Sequence, residues 1–129
     1  MIRGGLIALA IFGITTVVVP RYASAEKAGK ELTVKSFLRT IVVVNKSYRS
    51  RHRKYAENLD VLATEARIGA VVESTEKTSY VFSYFGGGHT WYCTANPALP
   101  GLAHFFVDES GVIRVRDDGA ANSDDAEAK

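Results

Sequence analysis

Apolar positions fall into three regimes along the chain. From Gly4 to Val19 there is no charge, and only Thr15 and Thr16 are polar. Their hydroxyls can bond back to carbonyls within a helix. This run of roughly 16 residues would rise about 24 Å as a helix, short of the roughly 20 residues that cross a bilayer core. Extension from Met1 to Tyr22 supplies the length, with Arg3 and Arg21 reaching the headgroups. Residues 1–22 are therefore expected to be a hydrophobic membrane segment, with Arg3 on the cytoplasmic side. The implied localisation is single-pass in the cell inner membrane, with the domain in the periplasm or at the cell surface. A competing reading starts from the same residues. Ala23-Ser24-Ala25 ahead of Glu26 fits a secretory signal cleaved after Ala25.

The second regime, Arg21 to Arg53, is amphipathic. Leu32, Phe37, Ile41, Val44 and Tyr48 recur at spacings of about three to five, while Lys27, Lys30, Lys35, Arg39, Lys46 and Arg49 occupy much of the rest. The simplest outcome is one long helix, half in lipid and half supporting a domain. Pro20 falls inside it, without an amide to bond back to Thr16, so a loosened turn is expected there. All-round apolarity gives way to a one-sided stripe at Pro20 and Arg21. Phe37, Ile41, Val44 and Tyr48 are therefore expected to face a sheet.

The third regime supplies that sheet. Leu59, Leu62 and Ala63 suit a short helix capped by Asn58 or Asp60 and ended by Gly69, and Glu73 to Ser79 reads as a loop. Tyr80, Phe82 and Tyr84 alternate with Val81, Ser83 and Phe85, Gly86-Gly87-Gly88 turns the chain, and His89 to Ala95 returns. Ala103 to Val107 and Val112 to Val115 follow, separated by an Asp108-Glu109-Ser110-Gly111 turn. The expected fold class is α+β, a long N-terminal helix packed on a small antiparallel sheet of about four strands. The domain spans 23–119, and 120–129 is expected to be a disordered acidic tail.

Composition changes this picture little. The 129 residues are 47% hydrophobic and 23% charged, with a net charge of +2, values of a single globular domain with no charge-driven partner. The distribution is uneven, basic from Arg21 to Lys54 and acidic from Asp108 onward. Arg49-Ser50-Arg51-His52-Arg53-Lys54 is the densest basic cluster, with no interleaved aromatic platform, so it reads as a solvated helix end and not as a nucleic-acid site.

The single cysteine, Cys93, has no internal partner for a disulfide and reads as a buried small hydrophobe. His52, His89 and His104 lie in unrelated segments, Asp108 and Glu109 are adjacent acids at a turn, and Gly86 to Gly88 lacks the Lys-Ser/Thr of a phosphate loop. No residue is assigned as catalytic, cofactor-binding or metal-ligating, no small-molecule substrate is evident, and the chain is expected not to be an enzyme.

Several segments carry a resemblance. Ala10-Ile11-Phe12-Gly13 through Val19-Pro20 resembles the second half of the pilin N-terminal helix, ending in its proline. Ser36-Phe37-Leu38-Arg39-Thr40-Ile41, Tyr55-Ala56-Glu57-Asn58-Leu59-Asp60-Val61-Leu62 and Phe105-Phe106-Val107-Asp108-Glu109-Ser110-Gly111-Val112-Ile113-Arg114, preceded by Pro100-Gly101, resemble later pilin-like segments in the same order. The chain thus resembles a type IV pilin or type II secretion pseudopilin. The processing motif is degenerate or truncated. Counting back from Gly13 puts the family's N-terminal glutamate at Gly4, and counting back from Pro20 puts it at Arg3.

The resemblance implies a structural subunit or minor component of a type IV pilus or type II secretion pseudopilus, with membrane lipid and other pilin-like subunits as partners. The alternative is a soluble periplasmic binding or interaction domain released after Ala25, with Tyr80, Tyr84, Trp91 and Tyr92 lining a groove. A contiguous exposed aromatic patch would favour that alternative.

Overall fold

The computed structural model describes residues 13–76 and 78–128. The chain divides into two compact units, Met1–Lys30 and Glu31–Lys129. Helix α1 (Gly13–His52) begins in the first unit and ends in the second. Helices α2 (Leu59–Ala66) and α3 (Gly69–Glu76) follow, then strands β1 (Tyr80–Phe85), β2 (Tyr92–Pro97), β3 (His104–Asp108) and β4 (Arg114–Arg116). The strands form one antiparallel sheet in the order β1-β2-β3-β4. A helix packed on a small antiparallel sheet is a pilin-like architecture in general terms.

Among the described residues, no helix is long and apolar enough to cross a membrane. The apolar part of described α1 ends at Val19, and Arg21, Glu26, Lys27 and Lys30 follow within three turns. Gly13 to Val19 covers about 10 Å of a hydrocarbon core about 30 Å thick. Residues 1–12 of the expected 1–22 membrane segment lie outside the described residues. The membrane half of the helix, the lipid partner, the single-pass inner-membrane localisation and the anchored pilus or pseudopilus subunit all required that span, and the described helix does not provide it.

In the second unit, α1 buries Val34, Phe37, Leu38, Ile41, Asn45 and Tyr48. Phe37 and Leu38 are adjacent and the other steps are three or four residues, which keeps one stripe on the core as the helix turns. Phe37 meets Phe82 of β1 edge-on, ring centroids 4.9 Å apart. Tyr80, Trp91, Cys93, Ala95, Phe105, Val107 and Ile113 complete the core from the sheet side. Of the expected stripe, Phe37, Ile41 and Tyr48 are buried, Val44 is half-buried, and Leu32 is 58% exposed.

Two polar latches tie α1 to the sheet. At one end, Ala103 N–H donates to Glu31 Oε2 at 2.7 Å, and Tyr80 O–H donates to the Ala103 carbonyl at 2.6 Å. At the other end, Asn45 Nδ2 donates to Tyr84 Oη at 2.7 Å, and Asn45 Oδ1 accepts from Ala56 N–H at 3.1 Å. Tyr84 O–H in turn donates to the Ala56 carbonyl at 2.7 Å. The buried amide therefore has both its ends satisfied, as burial of a polar group requires.

Asn58 caps α2, accepting from Val61 N–H at 2.8 Å. Arg67, in the left-handed region at φ 59°, ends the helix in place of Gly69. Gly69 instead opens α3, which runs to Glu76 through residues that read as loop. Beyond β4 the chain turns back. Val115 N–H donates to the Ala126 carbonyl, Ala128 N–H donates to the Ile113 carbonyl, and Glu127 bridges Arg114 in antiparallel sense. Ala121 is buried.

Candidate interaction site

Strand alternation sends one set of side chains to α1 and the other away from it. The registers place the outward set in rows. Val81 lies opposite Asn96, and His104 opposite Arg116. Ser83 lies opposite Thr94, Thr94 opposite Phe106, and Phe106 opposite Arg114. Phe85 lies opposite Tyr92, and Tyr92 opposite Asp108.

Three rings of this face form a continuous stack. Phe85 and Tyr92 have centroids 4.9 Å apart with planes at 27°. Tyr92 and Phe106 are 5.7 Å apart at 22°. The first spacing is close to the strand spacing itself, so the rings lean on one another across β1, β2 and β3. The face is open around it: Val81 is 59% exposed, Phe85 54% and Tyr92 39%, while Phe106 is half-buried.

Polar groups flank the rings. His104 Nδ1 stands 2.9 Å from Asn96 Oδ1. The ring therefore donates through Nδ1, leaving Nε2 as an acceptor when neutral. Arg114 Nη1 donates to the Asp125 carbonyl at 3.1 Å. Arg116 Nε donates to Asp118 Oδ1 at 2.9 Å, and that contact holds the exposed Asp118 carboxyl below its ordinary range.

The four aromatics expected to line a groove separate. Tyr80 and Trp91 are buried and Tyr84 is half-buried on the α1 side, where Tyr84 and Trp91 stack with centroids 5.8 Å apart. Burial, then the Glu31 charge, pushes the Tyr80 phenol well above its usual range. Burial likewise raises Tyr84 to about 12, with the Asn45 hydrogen bond acting in the opposite direction. Only Tyr92 of the four lies on the open face, and its ring neighbours Phe85 and Phe106 were not singled out. Their signal was the outward parity of Phe85 in the alternation read for β1.

The other chemistry-bearing residues do not converge. Cys93 is fully buried, and burial raises its thiol to about 12, far from a reactive thiolate. Ser110 donates its hydroxyl and its N–H to Asp108 Oδ1, which builds the β3–β4 turn. Gly86 carries no phosphate-loop helix; it sits where a Cβ would come within 2.5 Å of the Ala56 carbonyl.

In the basic cluster, Arg51 is paired with Glu65 through Nε at 3.0 Å and also through Nη2. His52 Nε2 lies 2.8 Å from Glu65 Oε1. The Arg51 hydrogen bond, with His52 behind it, lowers the Glu65 carboxyl below its ordinary value. Among the described residues, no group of three His, Cys, Asp or Glu side chains could hold a metal ion. No protein-family model, curated protein or solved structure matches the chain.

Proposed function

We propose that residues 31–128 form a non-catalytic binding domain that engages a protein partner through the open sheet face. The observation that carries this reading is the stack of Phe85, Tyr92 and Phe106, with Phe85 and Tyr92 exposed and Phe106 half-buried. Rigid aromatic rings framed by arginine and polar side chains have the composition of an interface centre and its rim. A contiguous apolar patch left open in a folded domain is otherwise a liability.

Kinship with the type IV pilins, at the level of the fold, belongs to the same proposal. It rests on the helix-on-sheet architecture and on the order of the resembling segments. Release after Ala25 is compatible with the binding role, because every core residue lies at Val34 or beyond.

Site-specific photo-crosslinking in cells tests the reading. A photoreactive residue at Tyr92 is expected to give a discrete adduct, as is one at Phe85. One at Val43, exposed on α1, is expected to give none of that mass. No adduct at Tyr92, or the same adducts at Val43, would overturn the proposal. Intact-mass measurement of the native protein decides whether the chain begins at Glu26.

A further inference from the structure

The last turns of α1 carry a second set of basic residues that the Glu65 pairing does not absorb. Lys46, Arg49 and Ser50 lie at positions i, i+3 and i+4, one face of the helix. With Tyr55 they line a recess of about 330 Å³. No acid is among the four lining residues. Arg51 and His52, on the neighbouring face, are held by Glu65. Neither Lys46 nor Arg49 has a carboxylate within ion-pair distance among the described residues. The helix end thus sorts its cations into a neutralised face and an uncompensated one.

Arg49 is also held in place. Its guanidinium lies over the Tyr55 ring, 5.2 Å from the centroid. Tyr55 is itself anchored: it is buried, its N–H donates to the Gly88 carbonyl at 2.9 Å, and its ring meets Trp91. A guanidinium held at a ring by cation–π attraction keeps N–H donors available to an oxyanion. Ser50 adds a hydroxyl donor and Lys46 a mobile point charge. The carbonyl end of α1 opposes an anion by about half a charge, against two full cations in the recess.

We infer that the recess formed by Lys46, Arg49, Ser50 and Tyr55 is a binding site for a phosphate-monoester dianion. It is independent of the open sheet face. A forked donor, a second cation and a hydroxyl on one helix face match the three terminal oxygens of such a group. A monovalent carboxylate would use only the fork.

The test is an NMR titration of the full chain at low ionic strength with glycerol phosphate and, separately, a phosphoserine peptide and acetate. Shifts are expected to concentrate at Lys46, Arg49, Ser50 and Tyr55. Affinity is expected to fall as pH is lowered from 7.5 to 5, because the second ionisation of a phosphate monoester lies near 6. Arg49→Gln and Lys46→Gln are each expected to weaken binding by about tenfold or more, whereas Arg51→Gln leaves it within about twofold. Tighter binding of the phosphopeptide would uphold the site and assign its source to a phosphorylated protein. Equal losses in Arg51→Gln and Arg49→Gln, equal affinity for acetate, or shifts spread over the whole basic stretch would overturn it.

Discussion

Asn45 and Tyr84, thirty-nine residues apart, meet at 2.7 Å and close a ring of hydrogen bonds on both backbone groups of Ala56. Each side chain supplies what the other leaves open. The Asn45 oxygen accepts from the Ala56 N–H, and the Tyr84 hydroxyl accepts from the Asn45 amide while donating to the Ala56 carbonyl. The chain leaving α1 is thereby fixed against β1.

Removing one member strands the others. Asn45→Ala is expected to cost roughly 2–4 kcal/mol, since a buried N–H loses its acceptor and the phenol loses a donor. Tyr84→Phe is expected to cost about 1–2 kcal/mol. Urea unfolding of both single variants and the double variant is expected to show a coupling energy of about 0.5–3 kcal/mol. Strict additivity would mean that the ring does not act as a unit.

Gly86 lies against the same ring. A Cβ there would stand 2.5 Å from the Ala56 carbonyl and 2.7 Å from Tyr84 Oη. Gly86→Ala is expected to destabilise by roughly 1–3 kcal/mol, the usual range for overpacking against a fixed neighbour. Gly88→Ala, which meets nothing within 4 Å, is expected to change the thermal midpoint far less.

Ile41 and Leu32 both belong to the apolar periodicity of α1, but only Ile41 is in the set expected to face the sheet; Ile41 is fully buried and Leu32 is exposed. Ile41→Ala is expected to cost about 2–5 kcal/mol, and Leu32→Ala no more than about 0.5 kcal/mol. A fragment of residues 26–129 retains every core residue and is expected to unfold cooperatively. Non-cooperative melting of that fragment would show that the first unit is needed for the second to fold.

Glu65 makes acid stability informative. Its carboxyl is lowered from 4.5 by Arg51 and His52. A depressed carboxylate favours the folded state at pH values above its unfolded pKa, and that contribution is lost as pH falls through the folded pKa. The advantage of the natural protein over Glu65→Gln is therefore expected to be constant at neutral pH and to shrink below about 4.5. Melting curves from pH 7 to pH 3 measure it. A gap that persists unchanged at pH 3 would place the effect elsewhere. The pair is largely solvent-exposed, so its amplitude is expected to be small.

The sheet was legible because its signals are local. Alternation in Tyr80 to Phe85, glycine at 86 to 88 and Gly111 after an acidic turn each state their own geometry. Helix α3 was not legible, because Glu73-Ser74-Thr75-Glu76 has no apolar period and follows α2 with scarcely a break. Asn45 was invisible for a different reason. An amide between apolar turns reads as surface until its partners are known, and these lie 11 and 39 residues away. The apolar run before Pro20 invited a membrane reading only by extension to Tyr22, and the charges from Arg21 onward keep the described helix from being apolar over such a length.

The return of Ala126 to Ala128 along β4 sets the valence of the sheet. One edge is occupied by the chain itself. The other, β1, has no backbone partner on its outer side among the described residues, and its sequence YVFSYF has no charge, proline or glycine to discourage one. A particle with a single open edge can join to another only once, and the association then terminates. A particle with two open edges can add copies without limit. Residues 126–128 thus cover backbone groups of β4 that would otherwise be open to a further strand.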